Sequence, residues 1–435
     1  MELGDYAGYQ ATSRKIIEWP PRAAPVAGGR DTTSRKPRRI LALCLGGIGD
    51  TVLAFAALRD LRRACPDDHL TALAMWPQSA ELLRDLGLFD DVLQHNFQCD
   101  RWWRSLWMTL KLRRRRYDVS LLVFPANRFE YNLMAYLLGA RRRFGHTYVR
   151  GGDAENLRFL LTDRIPQEAG RHVVDENRAL VVRFTGAVPD GPPDVRLGPL
   201  DPMHHEQAAR MLAHLHEPLI GIHAGSSRYK GLTAKRWPAE RFGELCLQAH
   251  RELGLQPVIF GTPDEIDLKL KIQAICPDVF FAHGETIRQT AALIARCAVF
   301  VSNDSSLAHI ASALDVPTVM LCGPTDPGEV RPYPQTGRAL SAELTCSPCF
   351  RVGRTPMQCT HGVYQACMKQ ISVNQALSAV RSSLRGTEPT VPQNTGLGLH
   401  QSLRTKPPYS LPVLSPAGSF AVNEEQRLEN PLDRR

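Results

Sequence analysis

The chain has 435 residues and 43% apolar content, enough for two cores of ordinary size, so two domains are expected, and its 22% charged residues are normal for a soluble protein. No window approaches 18 consecutive apolar residues, and the N-terminus has no basic start leading into an apolar run and a small-residue cleavage site, so neither membrane spanning nor secretion is expected. The net charge of +9 is concentrated between Arg101 and Arg150, where twelve Lys or Arg stand against two acids, Asp118 and Glu130, and an anionic partner is expected there.

Residues 1–36 are polar and punctuated by Gly and Pro, and read as a disordered segment. An N-terminal domain is expected over 37–195. Its "RILALCLGG" from Arg39 reads as a strand ending in glycines, "DTVLAFAALRDLRRACP" as one helix and "LTALAM" as the next strand, a βαβ unit. "DVSLLVF" from Asp118 gives a further strand, followed by a helix that stops at Gly139. Between them, Trp103, Leu106, Trp107 and Leu110 form a helical apolar stripe beside Arg104, Lys111 and Arg115. This is either an interfacial helix or a sheet-covering helix with a solvated basic face.

A Pro-rich passage leads into a linker expected over 196–217, and a C-terminal domain is expected over 218–385. In it "LIGIHAG", "PVIFG", "VFFAHG", "VFVSND" and "PTVMLC" read as strands that alternate with four helices. Residues 386–435 read as a disordered tail. Repeated βα units with short connections imply parallel sheets covered on both faces, so the fold class is α/β with two doubly wound domains. The eleven cysteines are odd in number, and Cys44, Cys246, Cys297 and Cys322 fall inside apolar patterns, which predicts reduced thiols of a cytosolic protein.

Sheets of this kind bind ligands at the carboxyl ends of their strands, so the chemistry is sought in those loops. The first is "LGGIGDTV", Leu45 to Val52. Counted from Gly47, the third glycine of a dinucleotide fingerprint would fall on Val52, and the second strand ends without an acid for a ribose, which disfavours a nicotinamide enzyme. Gly46, Gly47 and Gly49 still permit close approach of backbone to ligand, and Asp50 reads either as a helix cap or as a group at the mouth of a cleft.

In the second domain Asp304, Ser305 and Ser306 follow a strand and open a helix, an anion site in which a phosphate fits. His309 lies one turn on, with a packed histidine behind an N-cap as the plainer reading. The loop "AGSSRYKGLTAKRWP" offers Ser226, Ser227, Arg228, Lys230 and Lys235, groups suited to a diphosphate. Glu265 in "FGTPDE" is placed to accept from ribose hydroxyls or, more plainly, to open a helix in solvent. No D-x-D is present, so no metal clamp is expected.

"GGIGD", "GSS" with "KRWP", "FGTPDE" and "SNDSSLAHIASALDVPTVMLCGPTDP", in this order from about Arg39 to Leu384, resemble glycosyltransferase family 9, the ADP-heptose lipopolysaccharide heptosyltransferases. The chain departs from the family pattern at Ser306, where members usually carry Gly, and at Ala56 or Ala57, where they carry Pro. The resemblance implies a GT-B fold, two Rossmann-like domains facing each other across a cleft. The donor would be held mainly by the C-terminal domain and the acceptor by the N-terminal one.

It also implies Asp50 as general base and Ser226, Ser227 and Lys235 as donor contacts. Glu265 would hold the ribose, and Asp304, Ser305, Ser306 and His309 would surround the diphosphate and sugar. The implied activity is inverting, metal-independent transfer of a heptose from a nucleotide-diphosphate sugar to an anionic lipid-linked saccharide of lipopolysaccharide core type. The implied place is the cytoplasm, with peripheral contact at the inner face of the cytoplasmic membrane, and no cofactor is called for. A nucleotide-sugar epimerase of the same architecture and a non-catalytic nucleotide-sugar or lipid-binding relative are the alternatives. Nucleic acid is not expected, because no recognised binding module accompanies the charge. Cys346, Cys349, Cys359 and Cys367 have the spacing C-x2-C-x9-C-x7-C, which reads as a reduced or reversibly bridged loop ahead of a zinc site.

Overall fold

The structure, a computed structural model, describes residues 36–148, 156–227, 229–284, 286–333, 337–342, 344–350, 357–359 and 361–385. The segments expected to be disordered, 1–36 but for Lys36 and 386–435, lie outside the described residues.

Twelve strands form two sheets among the described residues. The first sheet contains β1 (Arg39–Cys44), β2 (His69–Ala74), β3 (Asp91–Gln94), β4 (Val119–Leu122), β5 (Arg142–Thr147) and β6 (Asp163–Pro166). The second contains β7 (Leu219–His223), β8 (Gln256–Ile259), β9 (Phe280–Phe281), β10 (Cys297–Asn303), β11 (Thr318–Cys322) and β12 (Arg338–Ser341). The first runs in the order β3-β2-β1-β4-β5-β6 and the second β12-β11-β10-β7-β8-β9, every pairing parallel. Counted within its own half, each sheet has the same order, 3-2-1-4-5-6, the doubly wound arrangement.

Central strands are apolar on both faces because helices cover both. In β1, Leu41 and Leu43 pack with Leu112, Met134 and Leu138 on one side, while Ile40 packs with Leu61, Phe144 and Val181 on the other. In the second sheet Ile220 and Ile222 meet Trp237, Phe242, Met368 and Val380. The opposite face builds a core that spans both halves of the chain, with Phe55, Leu58 and Leu83 against Ile287, Ala291 and Ile310. Arg288 seals this seam: its Nε donates to Asp85 Oδ2 at 2.7 Å, and a second guanidinium nitrogen reaches the same carboxylate.

Four of the strands were not expected. β3, β5, β6 and β12 lie at or beside the sheet edges and carry charged residues such as Asp91, Arg142, Arg143, Asp163 and Arg338, so their sequences lack the apolar runs of the centre. The single helix expected after β1 is two, Ile48–Leu53 and Phe55–Ala64, divided at Ala54. The first begins two residues before Asp50. The segment expected as a linker carries the helix Pro202–Leu212, started by Asp201, whose carboxylate accepts from Met203 N–H.

In the order 3-2-1-4-5-6 the chain reverses direction across the sheet between its first and fourth strands, which opens a crevice at their carboxyl ends. In the first sheet that point lies between β1 and β4, and in the second between β7 and β10. The turn Gly46–Asp50 leaves β1, the loop from Ala224 leaves β7, and Asp304 to Ser306 leave β10. The fold thus brings the loops that carry most of the candidate residues to the two switch points.

Candidate functional site

In the N-terminal half, Gly47 is the N-cap of the helix Ile48–Leu53 and Asp50 its third residue. Asp50 Oδ2 accepts from Gly47 N–H at 2.7 Å, so the carboxylate does hold the helix start. Its Cβ would stand 2.7 Å from a Cβ on residue 46, which is why a glycine is needed there. The half-buried carboxyl is pushed up to about 6 by desolvation, with Asp304 adding to the rise, while Gly47 N–H and the Lys235 ammonium oppose it. The charges acting on Asp50 therefore include two from the other half of the chain. Gly49 meets that half directly: a Cβ there would lie 2.8 Å from His309 Cδ2 and 3.4 Å from Ser306 Cα.

Across the seam, Lys235 Nζ donates to Asp304 Oδ2 at 2.7 Å, both side chains being almost fully buried. Burial alone would raise the Asp304 carboxyl, but Lys235, His309 and Thr325 hold it below its ordinary value. Burial pushes His309 down to about 4 despite the attraction of Asp304, so the ring is neutral near pH 7. Its Nε2 is 4.0 Å from Asp304 Oδ1, and its buried Nδ1 has no hydrogen-bond partner among the described residues. Ser305 is the N-cap of the helix Ser306–Ala313, yet its hydroxyl is not used in capping. It lies 2.8 Å from Ser302 Oγ and 2.9 Å from His223 Nδ1. Among the described residues no side-chain cap takes up the backbone N–H groups of that first turn, which suits them to an anionic acceptor.

The structure thus brings Asp50, Gly49, Lys235, Asp304, Ser306 and His309 together, with Ser305 beside them. Ser226 and Glu265 are placed differently. The Ser226 hydroxyl donates to Leu232 O at 2.9 Å and accepts from Arg236 Nε at 3.1 Å, which folds the loop onto itself. Ser227 is exposed and Arg228 lies outside the described residues.

Glu265 is buried, contrary to the solvated alternative. Burial works to raise its carboxyl, but His223, Thr262 N–H and Arg236 hold it down at about 2. Gly225 is the one residue type that fits beside it, since any Cβ there would run into the Glu265 carboxylate.

Four residues escaped the sequence reading. His223 lies between Glu265, 3.4 Å from Nε2, and Ser305. Asn303 accepts from Trp237 N–H at 2.8 Å and donates to Ala224 O at 2.8 Å, clamping the loop after β7 to the end of β10. Arg236 donates to Ser226 O at 2.6 Å, and Gly225 makes room for Glu265. A polar residue ending a largely apolar strand, as His223 and Asn303 do, is the signal that could have found those two.

The cysteine-rich segment braces the same loop. Cys349 and Phe350 N–H groups donate to Pro324 O, Lys235 Nζ stands 4.4 Å over the Phe350 ring, and Gln365 Nε2 donates to Thr233 O at 2.9 Å. No disulfide joins Cys346, Cys349, Cys359 and Cys367, and burial together with the other three raises the thiol of Cys367. Among the described residues, no group of three or more His, Cys, Asp or Glu is gathered to hold a metal ion.

A carboxyl near 6, a buried cation and a helix N-terminus within one seam can accept a proton at neutral pH and stabilise a diphosphate. The sequence model of glycosyltransferase family 9 (heptosyltransferase) matches residues 103–360. Lipopolysaccharide heptosyltransferase 1 of Pseudomonas aeruginosa is 24% identical over 337 residues, 72% of this chain and 86% of that protein. Lipopolysaccharide heptosyltransferase 2 of Salmonella typhimurium is 31% identical over 243 residues, 53% of this chain and 66% of its own length.

Among solved structures, E. coli ADP-heptose lps heptosyltransferase II aligns over 81% of this chain and all of its own, with TM-score 0.62 and 23% identity. E. coli heptosyltransferase WaaC with ADP-2-deoxy-2-fluoro heptose aligns over 79% of this chain and 99% of its own, with TM-score 0.57 and 17% identity. These two carry the GT-B fold over to this chain. With more than half of its length matched by the family, the chain belongs to glycosyltransferase family 9 and is a glycosyltransferase.

Proposed function

We propose that the chain transfers a heptosyl residue from ADP-heptose to a hydroxyl of an anionic, lipid-linked lipopolysaccharide core acceptor, with inversion and without a metal, at the cytoplasmic side of the inner membrane. The observation that carries this reading is the position of Asp50 beside the Lys235–Asp304 pair, a proton acceptor from one half of the chain against a cation from the other. Relatives named as lipopolysaccharide heptosyltransferases, and a solved relative holding an ADP-heptose analogue, support the choice of donor and acceptor.

In this reading the acceptor oxygen attacks the anomeric carbon from the face opposite the diphosphate, and its proton passes to Asp50. The bond from the anomeric carbon to the diphosphate oxygen breaks, and the departing ADP takes the electron pair. Lys235 and the N–H groups at Ser305 and Ser306 stabilise the charge that grows there. A single displacement from the opposite face inverts the anomeric centre. His309, neutral, offers Nδ1 to a donor oxygen or hydroxyl.

The test is Asp50→Asn, with donor affinity by calorimetry and turnover measured on one preparation. Retained affinity with turnover lowered by about 10² to 10⁴ is expected for a lost general base, and near-normal turnover overturns the role. Activity should also survive EDTA; loss restored by magnesium overturns metal independence. A donor panel completes the test, since stabilisation by UDP-sugars only, and not by ADP-sugars, sinks the heptosyl reading.

A further inference from the structure

The helix Trp102–Arg114 has two unlike faces. Ser105, Met108 and Leu112 turn inward: Leu112 is fully buried, Met108 packs against the core around Tyr131 and Met134, and Ser105 Oγ lies 2.9 Å from His95 Nε2. Trp103, Leu106, Trp107 and Leu110 turn outward at 47%, 51%, 58% and 46% exposure, with Trp102 beside them at 77%. Their spacing makes one continuous ridge along the helix. The alternative in which the apolar stripe packs on the sheet and only a basic face is solvated therefore does not hold.

An exposed ridge with two or three indoles on one helix is not what a free surface tolerates without a partner. The neighbouring helix Phe129–Leu137 extends the patch with Tyr136 and Leu137, 48% and 43% exposed.

Charge decides what covers it. Residues 101–116 contain seven Lys or Arg and no Asp or Glu. Arg113 is committed to Leu137 O and Arg115 to Asp91, but Arg101, Arg104, Lys111, Arg114 and Arg116 have no ion pair among the described residues. Arg104 and Lys111 flank the ridge, 5.2 Å from the Trp103 ring and 5.0 Å from the Trp107 ring. Indoles on the ridge with ammonium and guanidinium groups at its flanks match the layering of a bilayer surface, where rings sit at headgroup depth and cations meet lipid phosphates.

The topology also gives the ridge a place. Because the helix follows β3, its Trp102 end lies at the carboxyl edge of the first sheet, the edge that carries Gly46 to Asp50. Gln98, just before the helix, donates to Tyr131 Oη, and Tyr131 donates to Leu45 O at the head of the glycine turn.

We infer that the Trp103–Trp107 face of this helix docks the chain onto an anionic phospholipid surface, which brings the Asp50 edge to a lipid-linked acceptor. The docking itself is independent of transfer; only its purpose rests on the function proposed above. Insertion of the ridge would bury the indoles, and the flanking cations would make binding depend on lipid charge and salt.

The full chain is tested by co-sedimentation and indole fluorescence with vesicles of phosphatidylglycerol and phosphatidylcholine against vesicles of phosphatidylcholine alone. Binding to the anionic vesicles, with emission shifted to the blue, is expected. Trp103→Ala with Trp107→Ala should weaken it by at least about tenfold, and Arg104→Gln with Lys111→Gln should remove its preference for anionic lipid. Both double variants should keep the melting temperature and the turnover on a delipidated, water-soluble acceptor, so that a failure of docking is distinguishable from a failure of the transfer reading. No binding to anionic vesicles, or equal binding by the tryptophan variant, overturns the inference. So does a dimer in solution that the tryptophan substitutions dissolve, because a second copy would then cover the ridge.

Discussion

Gly49 and His309 touch across the two halves so closely that a Cβ on Gly49 would stand 2.8 Å from His309 Cδ2. Real Cβ atoms do not approach so near, and His309 sits in a packed helix turn that is 6% exposed. Gly49→Ala must therefore displace the ring or part the two loops. Overpacking of this kind costs about 1–3 kcal/mol, and a shift of about 1 Å at a site of this type costs far more in rate than in stability. A modest fall in melting temperature with turnover down by more than about tenfold is expected. His309→Ala in the same chain should recover part of the stability lost, and additivity of the two changes would show that they do not meet.

The Asp50 carboxyl, held at about 6, gives two pH dependences of opposite sense. As a base it works only when ionised, so kcat/KM should rise as pH climbs through about 6 and flatten above it, a limb that Asp50→Asn should lack. For stability the sign reverses. A carboxyl whose folded value is raised favours the protonated state, so its contribution is full below the unfolded value of about 3.9 and is lost as pH rises through about 6. Asp50→Asn should then match or exceed the parent in melting temperature at pH 8, and the difference should close toward pH 4. A variant markedly less stable at pH 8 would return Asp50 to a purely capping role.

The strands β1, β4, β7 and β10 were legible in the sequence because they are buried and largely apolar, but their lateral order, and with it the two switch points, was not, because it is set by pairing between distant segments. The residues leaving three of these strands, Gly46 to Asp50, Ser226 and Asp304 to Ser306, could be picked out by the carboxyl-end rule alone. The edges were not legible, because β5 is written "RRFGHT" and takes its place through pairing with β4 and β6 rather than through its own pattern. Nor could the pairing of Lys235 with Asp304 be read, since the two are 69 residues apart and meet only through the parallel packing of β7 and β10. The same holds for Ser226: its type suits a phosphate, but its hydroxyl is taken by Leu232 and Arg236.

Glu265 offers a stability test free of the catalytic question. Its carboxyl is held at about 2, because His223, Thr262 and Arg236 outweigh the cost of burial. A depressed carboxylate contributes stability above its unfolded value, about 4.3, and loses it as pH falls through about 2. Glu265→Gln should cost on the order of 3 kcal/mol at pH 7, with the loss shrinking between pH 4 and pH 2. A cost that stays constant over that range would mean that Gln fails for steric reasons rather than for lack of charge.

Lys235 is the residue whose removal is easiest to misread. Lys235→Ala deletes the cation proposed for the diphosphate, but it also leaves the Asp304 carboxylate buried without its partner. Breaking a buried pair from one side costs about 3–5 kcal/mol, so a loss of activity in this variant alone says little. Lys235→Met with Asp304→Asn removes both charges and keeps most of the volume, and this pair should recover much of the melting temperature. If Lys235 serves only to neutralise Asp304, the double variant should also recover turnover. If it holds the donor, affinity for ADP-sugar and turnover should both stay low in a chain that is again stable, because the ammonium is needed before and during cleavage of the bond to diphosphate. Asp50 supplies the internal check, because its carboxyl is lowered by Lys235 and raised by Asp304. Lys235→Met alone should move the pH limb of kcat/KM upward, and the double variant should bring it back toward the parent; a limb that does not move in either would place Lys235 outside the reach of Asp50.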